Sequence, residues 1–515
     1  MLSVTKSQMR FHDRRPEATP VAVADARVAS VAHTRRRVLC VVARGYGMVH
    51  VVIIGAYGSA GSAVADELAG EPDVELTLVD DGDPGGGLCI LEGCMPSKEL
   101  LSAGAHRFQA RHDDRLVGDL PEVDLERTVE RKDDHTLGWA GHRRESVHDL
   151  AERDDVEFVH DTARFVDSHT VAAGDREFEA DYVVVATGST ASVPDLPGLD
   201  EVDYTTSTDT LDATEFPDSG IVMGLGYVGL ELVPYLCEAA GMELTAIEHD
   251  DSPIDGADPA FGDALLDIYR EHFDVEIPTN ATEKRVEPTD DGGVRLTYEA
   301  EDGAERAVEA DQLFTFTGRV PTLSGLGLDA AGISTEGDWV ADTMQARDAD
   351  HVFVVGDANG KEPILHVAKE HGFTAAENVL RHANGQSLRE YENVTHRVIF
   401  SGLGVYPFAR LGHTEASAEA AGHEVVTATR QASDDGVFKS KDTPEGLAKL
   451  VVDANDGTVL GWQGLHYHAD VMAKTMQVIV ELGLDVHAVP DRAYHPTTPE
   501  ILDGLFRDAT AALDE

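Results

Sequence analysis

An α/β fold with two parallel-sheet βαβ units, followed by a separate α+β domain, is predicted by three observations on the 515-residue sequence. An apolar strand, a glycine turn, a helical stretch, a second apolar strand and a closing acid follow one another over 49–80. The same series returns over 221–248. From about Asn393 onward, strand-like and helical segments alternate without such a turn, which reads as a domain of another kind.

In the first unit, Val49–Ile54 and Glu75–Val79 are apolar runs and Ser59–Leu68 is helical. The turn between them is Gly55-Ala56-Tyr57-Gly58-Ser59-Ala60-Gly61, with the first glycine three residues, not two, before the second. It is thus one residue longer than the GxGxxG pattern, in which glycines admit a pyrophosphate against the backbone and the helix N-terminus supplies amide donors. Asp80 ends the second strand, where a carboxylate accepts from a ribose hydroxyl. Gly55, Gly58, Gly61 and Asp80 are therefore candidate cofactor residues.

The second unit is more regular. Ile221–Met223 runs into Gly224-Leu225-Gly226-Tyr227-Val228-Gly229, then a helix to about Glu238, with Pro234 expected to bend it. Glu243–Ile247 is the next strand and Glu248 its closing acid. Gly224, Gly226, Gly229 and Glu248 are the matching candidates. Glu231 is either a nicotinamide-side contact or an ordinary first-turn acid.

Between the units lies Gly85-Gly86-Gly87-Leu88-Cys89-Ile90-Leu91-Glu92-Gly93-Cys94-Met95-Pro96-Ser97-Lys98. Cys89 and Cys94 are close enough in sequence for a small strained disulfide, with glycines on both sides to bend the backbone. The sequence has only four cysteines, so this is no disulfide-stapled scaffold. A redox pair is favoured over a metal site, because no second Cys/His pair stands at ligand spacing. Two nucleotide units beside a thiol pair imply two nucleotide cofactors and electron traffic between them. Cys40 and Cys237 have no close partner in sequence, as suits a reducing cytoplasm, and Cys237 reads as a buried helix residue.

Three further strand-to-turn boundaries follow. Tyr182–Ala186 leads into Thr187-Gly188 and then Pro194 and Pro197-Gly198, a natural domain crossing. Gln312–Phe316 leads into Thr317-Gly318-Arg319, and Val352–Val355 into Gly356-Asp357. In the last domain Arg397–Ser401, Leu447–Val452 and Thr458–Gln463 are strand-like and Ala469–Leu482 is helical. His366 and His468 are as readily structural as functional.

The formal charge is −54, with 95 acidic against 41 basic residues. Such a surface repels phosphates, so nucleic acid is excluded as a partner, and it suits a cytosol of very high salt. No apolar run approaches the ~18 residues of a membrane helix, which excludes a membrane partner. Residues 1–47 break the trend, with nine Lys/Arg against three Asp/Glu. They read as a disordered or non-native extension, with the protein proper expected to start at Met48.

Taken in order, these motifs resemble the FAD- and NAD(P)-dependent pyridine nucleotide-disulfide oxidoreductases, most closely the dihydrolipoamide dehydrogenases. The likeness covers essentially all of 48–515 and adds His495-Pro496-Thr497-Thr498-Pro499-Glu500 to the motifs above. It implies two Rossmann-like domains: an FAD-binding domain over 48–205 and 325–392, interrupted by an NAD-binding domain over 206–324. A dimerisation domain over 393–515 follows.

The resemblance also implies roles. Cys94 is the flavin-side thiolate and Cys89 the interchange thiol; Lys98 stands near the flavin ring, and Asp357 holds the ribityl chain. His495 is the general base, oriented by Glu500, reaching from the other subunit of a homodimer. Thr187, Gly188, Gly318 and Gly356 join the cofactor set, and no metal is expected. The implied reaction is NAD-linked oxidation of dihydrolipoamide through a Cys89–Cys94 disulfide. Mercuric reductase and low-molecular-weight disulfide reductase are the rivals within the class, and a non-catalytic flavoprotein is the alternative outside it. Leu88, Leu91, Glu92, Gly404-Val405-Tyr406-Pro407-Phe408 and Tyr494 depart from the usual pattern. Of these, Glu92 is expected to raise the pKa of Cys89 and disfavour anionic substrates.

Overall fold

Continuous rather than alternating apolar runs mean strands buried on both faces, and the sheets obey this. The computed structural model describes residues 48–492 and 494–514, so the expectation for 1–47 lies outside the described residues. In the strand Val49–Ile54, Val51 and Ile53 enter one apolar cluster while Val52 and Ile54 enter another on the opposite face. This strand lies inside a six-stranded sheet in the order Gln345–Ala346, Ala349–Val354, Tyr182–Val185, Val49–Ile54, Val74–Asp80, Val156–His160. All neighbours are parallel except the short Gln345–Ala346 edge. Ser59–Leu68 is the crossover helix from its central strand.

The second unit is a four-stranded parallel sheet, ordered Glu243–Ile247, Ser219–Met223, Gln312–Thr315, Tyr204–Thr206. Tyr204–Thr206 corrects the expected boundary at 205/206, which cuts this strand. Its residues pair with Leu313–Thr315 and belong to the second unit. Three residues are too few to show a period, so only the pairing reveals the strand. The far boundary shifts too: Arg319–Pro321 pairs with Ser189–Ala191 as a two-stranded ribbon between the units.

The C-terminal domain is a five-stranded antiparallel sheet, ordered His396–Ile399, Phe408–Gly412, Val459–Leu465, Leu447–Asp453, Val425–Gln431. Helices Ala469–Glu481 and Glu500–Leu513 pack on it. One apolar cluster joins all three regions: Leu100 and Leu101 of the helix Cys94–His112, Leu230 and Phe261 of the second unit, and Leu403 and Phe408 of the C-terminal domain.

Helix Leu125–Leu150 leaves no clear signal in the sequence. It buries only Val129, Lys132, Thr136, Ala140 and Val147, too thin and polar a stripe to register as amphipathic. Lys132 is tolerated inside because Asp133 at 2.8 Å and Asp212 pair with its ammonium.

Candidate active site

The two glycine turns are built alike. In each, a turn residue soon after the first glycine donates its backbone N–H to the acid that closes the second strand. Tyr57 N–H bonds Asp80 at 2.9 Å, and Leu225 N–H bonds Glu248 at 3.1 Å. The third glycine is required in both, since a Cβ on Gly61 would lie 2.1 Å from the Gly55 carbonyl oxygen and one on Gly229 2.4 Å from that of Gly224. Helices Ser59–Leu68 and Tyr227–Glu238 start at Gly58 and Gly226 with no capping side chain, so their first amides remain available to an anion.

The additional residue of the first turn is Tyr57, and it folds inward. Its side chain is buried, its hydroxyl meets His148 Nε2 at 2.8 Å, and its ring packs on Phe158. A Cβ on Gly85 would fall 2.1 Å from this ring, which gives the glycine run a packing reason beyond the cysteines. Arg143, from the long helix, donates to the Tyr57 carbonyl at 3.3 Å and to Ser62 at 3.1 Å.

The domain crossing fixes the next group. Thr187 Oγ1 donates to the Thr322 carbonyl at 2.7 Å, and Thr317 Oγ1 to that of Ser192 at 2.7 Å. The Thr187 hydroxyl is thus committed to the crossing, while Gly188 and Gly318, with φ of 71° and 89°, make the two turns. Ser189 Oγ donates to Asp357 at 2.7 Å, and Arg319 holds Ser189 through its hydroxyl at 3.1 Å and carbonyl at 2.8 Å. Gly356, in the preceding position, also has positive φ and lies close against Ala60 and Ala368.

Cys89 and Cys94 stand as free cysteines. Cys89 lies in the short helix Leu88–Leu91, and Cys94 opens the helix Cys94–His112, where the N-terminal dipole favours an anion. Interaction with the Cys89 side chain, helped by the Lys98 ammonium against the opposing effect of burial, lowers Cys94 to about 7. The same interaction, then burial, pushes Cys89 up. Glu92, expected to act on Cys89, is exposed and its charge acts on Arg319.

Lys98 donates to Glu231 at 2.5 Å and lies 4.5 Å from the centre of the Phe400 ring. Glu231 also accepts from Phe400 N–H at 3.2 Å and from Ser97 at 3.4 Å. Glu231 lies beyond the first turn of its helix, which holds no acid, so it is not the ordinary first-turn acid allowed for, and it ties the second unit to the cysteine helix of the first. Cys237 stands apart, half-buried and pushed up to about 12 by burial, as befits an inert thiol.

His495 is on the C-terminal domain, 80% exposed at its side chain, with Nδ1 3.1 Å from both oxygens of Glu500. Glu500 also accepts from Thr497 N–H at 2.9 Å, and hydrogen bonding to His495 holds its carboxyl below the ordinary range. No hydrogen bond or ion pair joins this pair to the cysteine segment among the described residues. His468 meets Thr498 at 3.1 Å, which gives it a structural place beside the pair. His366 faces His396 through their Nε2 atoms.

Comparison with known proteins decides the family. The pyridine nucleotide-disulphide oxidoreductase family matches residues 49–372, and its dimerisation domain matches 396–505. The chain belongs to this family. A mercuric reductase of Bacillus cereus is 31% identical over 442 residues, 84% of this chain and 67% of that protein. A dihydrolipoyl dehydrogenase of Haloferax volcanii is 28% identical over 469 residues, 87% of this chain and 94% of that protein. Among solved structures, the HOCl-induced flavoprotein disulfide reductase RclA from Escherichia coli superposes with a TM-score of 0.73 at 22% identity, covering 89% of this chain and 99% of that one.

Pyridine nucleotide-disulphide oxidoreductases carry FAD and use NAD(P). The residues here fit both groups: two uncapped helix N-termini, two strand-end acids and open space at Gly226, where a Cβ would meet nothing within 4 Å. Arg143, Ser189, Arg319 and Phe400 are not legible in the sequence as site residues, because no spacing rule links them to the glycine turns. The adjacent Arg143-Arg144 in an acidic chain is the one signal that could point to them.

Proposed function

We propose that this flavoprotein oxidises dihydrolipoamide to lipoamide with NAD+, as a homodimer in which His495 of one protomer serves the Cys89–Cys94 pair of its partner. The observation that carries the reading is Cys94 at the start of its helix, beside the Lys98–Glu231 pair that joins the two nucleotide units, a setting that favours the thiolate. Glu500 favours the proton of His495 on Nδ1, leaving Nε2 to take a proton from a substrate thiol.

The resulting thiolate attacks Cys89 Sγ of the disulfide form, making a mixed disulfide and releasing Cys94 as thiolate. The second substrate thiol displaces Cys89, so substrate leaves as a disulfide and the protein holds a dithiol. FAD, held at the first glycine turn and by Asp357, would supply the two-electron relay between that dithiol and NAD+. The acid Glu248 favours NAD over NADP, because a 2′-phosphate would meet like charge there. The acidic surface suits a high-salt cytoplasm.

Mercuric reduction is the second reading, favoured by the 31% identical relative. Against it, Cys40 and Cys237 are the only other cysteines and do not form a second close pair in the sequence. The test is turnover of purified holoenzyme with dihydrolipoamide and NAD+, set beside Hg(II) and a glutathione-type disulfide with NADPH. Dihydrolipoamide oxidation that falls about 100-fold or more in His495→Ala supports the reading. Fast turnover of another acceptor with none of lipoamide overturns the substrate.

A further inference from the structure

Pro234 is the one irregular residue of the helix Tyr227–Glu238, and its consequence reaches the flavin side of the molecule. A proline has no N–H, so the Leu230 carbonyl loses its donor four residues on. That carbonyl is filled from outside: the hydroxyl of fully buried Tyr269, on helix Pro259–Phe273, donates to it. The same hydroxyl accepts from Gly402 N–H at 3.2 Å. Tyr269 thereby ties helix residue 230 to the loop that follows the first strand of the C-terminal domain. Burial pushes its pKa far up, so it stays a donor.

One residue along the helix, Glu231 is tied to the same loop through Phe400 N–H at 3.2 Å. Lys98 pairs with that carboxylate and lies over the Phe400 ring. The far side of the loop is wedged against the cysteine helix, where a Cβ on Gly104 would come 2.8 Å from Leu403 Cδ2. The Lys98–Glu231 pair therefore keeps its place beside Cys94 only while helix and loop remain joined.

We propose that Tyr269 is a positioning residue for the Lys98–Glu231 pair. The inference rests on the flavin-linked dithiol chemistry proposed above but not on which dithiol is the substrate. Without the hydroxyl, the Leu230 carbonyl and Gly402 N–H lose a buried partner, the loop draws away, and Lys98 leaves Cys94. With Pro234→Ala, the helix supplies its own N–H to Leu230, but Gly402 N–H still depends on the Tyr269 hydroxyl, so the tie to the loop is not replaced.

The test compares Tyr269→Phe, Pro234→Ala and the double variant as holoenzymes. The readouts are stopped-flow reduction of the flavin by NADH and the pH midpoint of mass-mapped iodoacetamide alkylation at Cys94 in reduced protein. The second needs neither lipoamide nor nicotinamide turnover, so it separates failure of this inference from failure of the substrate reading. Tyr269→Phe is expected to slow flavin reduction at least about tenfold and raise the Cys94 midpoint by ~0.5 pH unit or more. Pro234→Ala should stay near wild type, and the double variant should remain within about threefold of Tyr269→Phe, because Gly402 N–H still lacks its partner.

A Tyr269→Phe enzyme that loses melting temperature but keeps both readouts, or a double variant restored to wild-type behaviour, overturns the proposal. Should Tyr269→Phe fail to fold, the double variant is read against Pro234→Ala. A folded double variant slowed about tenfold supports the proposal, and one within about threefold overturns it.

Discussion

In the first βαβ unit the turn residue that donates to the strand-end acid is Tyr57, buried beneath the glycine run and covered by the helix Leu125–Leu150. In the second it is Leu225, and the neighbouring Gly226 and Tyr227 open to solvent. The backbone device is the same, but the settings are opposite. Arg143 closes over the first turn and locks it to Ser62, whereas no guanidinium hydrogen-bonds to the second turn among the described residues. A covered cradle suits a group that stays through many turnovers. An open one suits a nucleotide that must leave each time.

The sharpest way to break this comparison is to place the same methyl in both turns. Gly61→Ala meets the Gly55 carbonyl inside a packed turn, so it should purify without visible flavin absorbance. Gly229→Ala meets the Gly224 carbonyl in the other turn, so it should keep its flavin while the KM for NADH rises about tenfold or more. Flavin loss in both variants, or in neither, would show that the cover does not distinguish the sites.

A smaller effect is expected from Arg143→Met, which removes two hydrogen bonds from the first turn. Flavin affinity by equilibrium dialysis should fall ~10–100-fold, with the KM for NADH unchanged. The second turn is probed through its acid. Glu248 is buried and bonded to the amides of Leu225 and Asp250, so kcat/KM should favour NADH over NADPH by about tenfold or more. Equal use of both nucleotides would mean that the acid only braces the turn.

The smallest effect lies where the two units meet. Cys94 is lowered to about 7, so its thiolate is present above that pH and lost as pH falls through it. The long-wavelength absorbance between thiolate and bound flavin should fade with that midpoint. Lys98→Met should move the midpoint up by ~0.5–1 pH unit, since a favourable charge is removed. An unmoved midpoint would assign the lowering to Cys89 alone.

The two parallel sheets, the glycine turns, the cysteine block and the His495–Glu500 pair are all legible in the sequence. All but the last depend on short-range physics: an apolar run buried on both faces, a glycine where a side chain would strike a carbonyl, two cysteines near in sequence. The His495–Glu500 pair is read only through the family resemblance. Val49–Ile54, Ser59–Leu68 and Glu243–Ile247 have the limits that their residues predict. The strand Tyr204–Thr206 and the helix Leu125–Leu150 escape for the same reason in reverse: one is too short and the other too polar to carry a period.

What the sequence by itself determined is the inventory of chemical groups: two nucleotide turns with their acids, a thiol pair, a lysine four residues beyond it and a histidine with its carboxylate. Tertiary structure alone decided which of these groups touch and what tunes them. Lys98 and Glu231 are 133 residues apart, and Glu231 and Phe400 169 apart, yet the three enclose one charge beside Cys94. Tyr57 reads in sequence only as a surplus residue, and its meaning comes from Gly85 and His148 packed around it. Pro234 reads only as a bend, and its meaning comes from Tyr269 filling the vacated carbonyl. Local propensity is settled within a few residues of chain. A buried hydrogen bond between distant segments is settled by how whole domains pack, and no spacing rule records that.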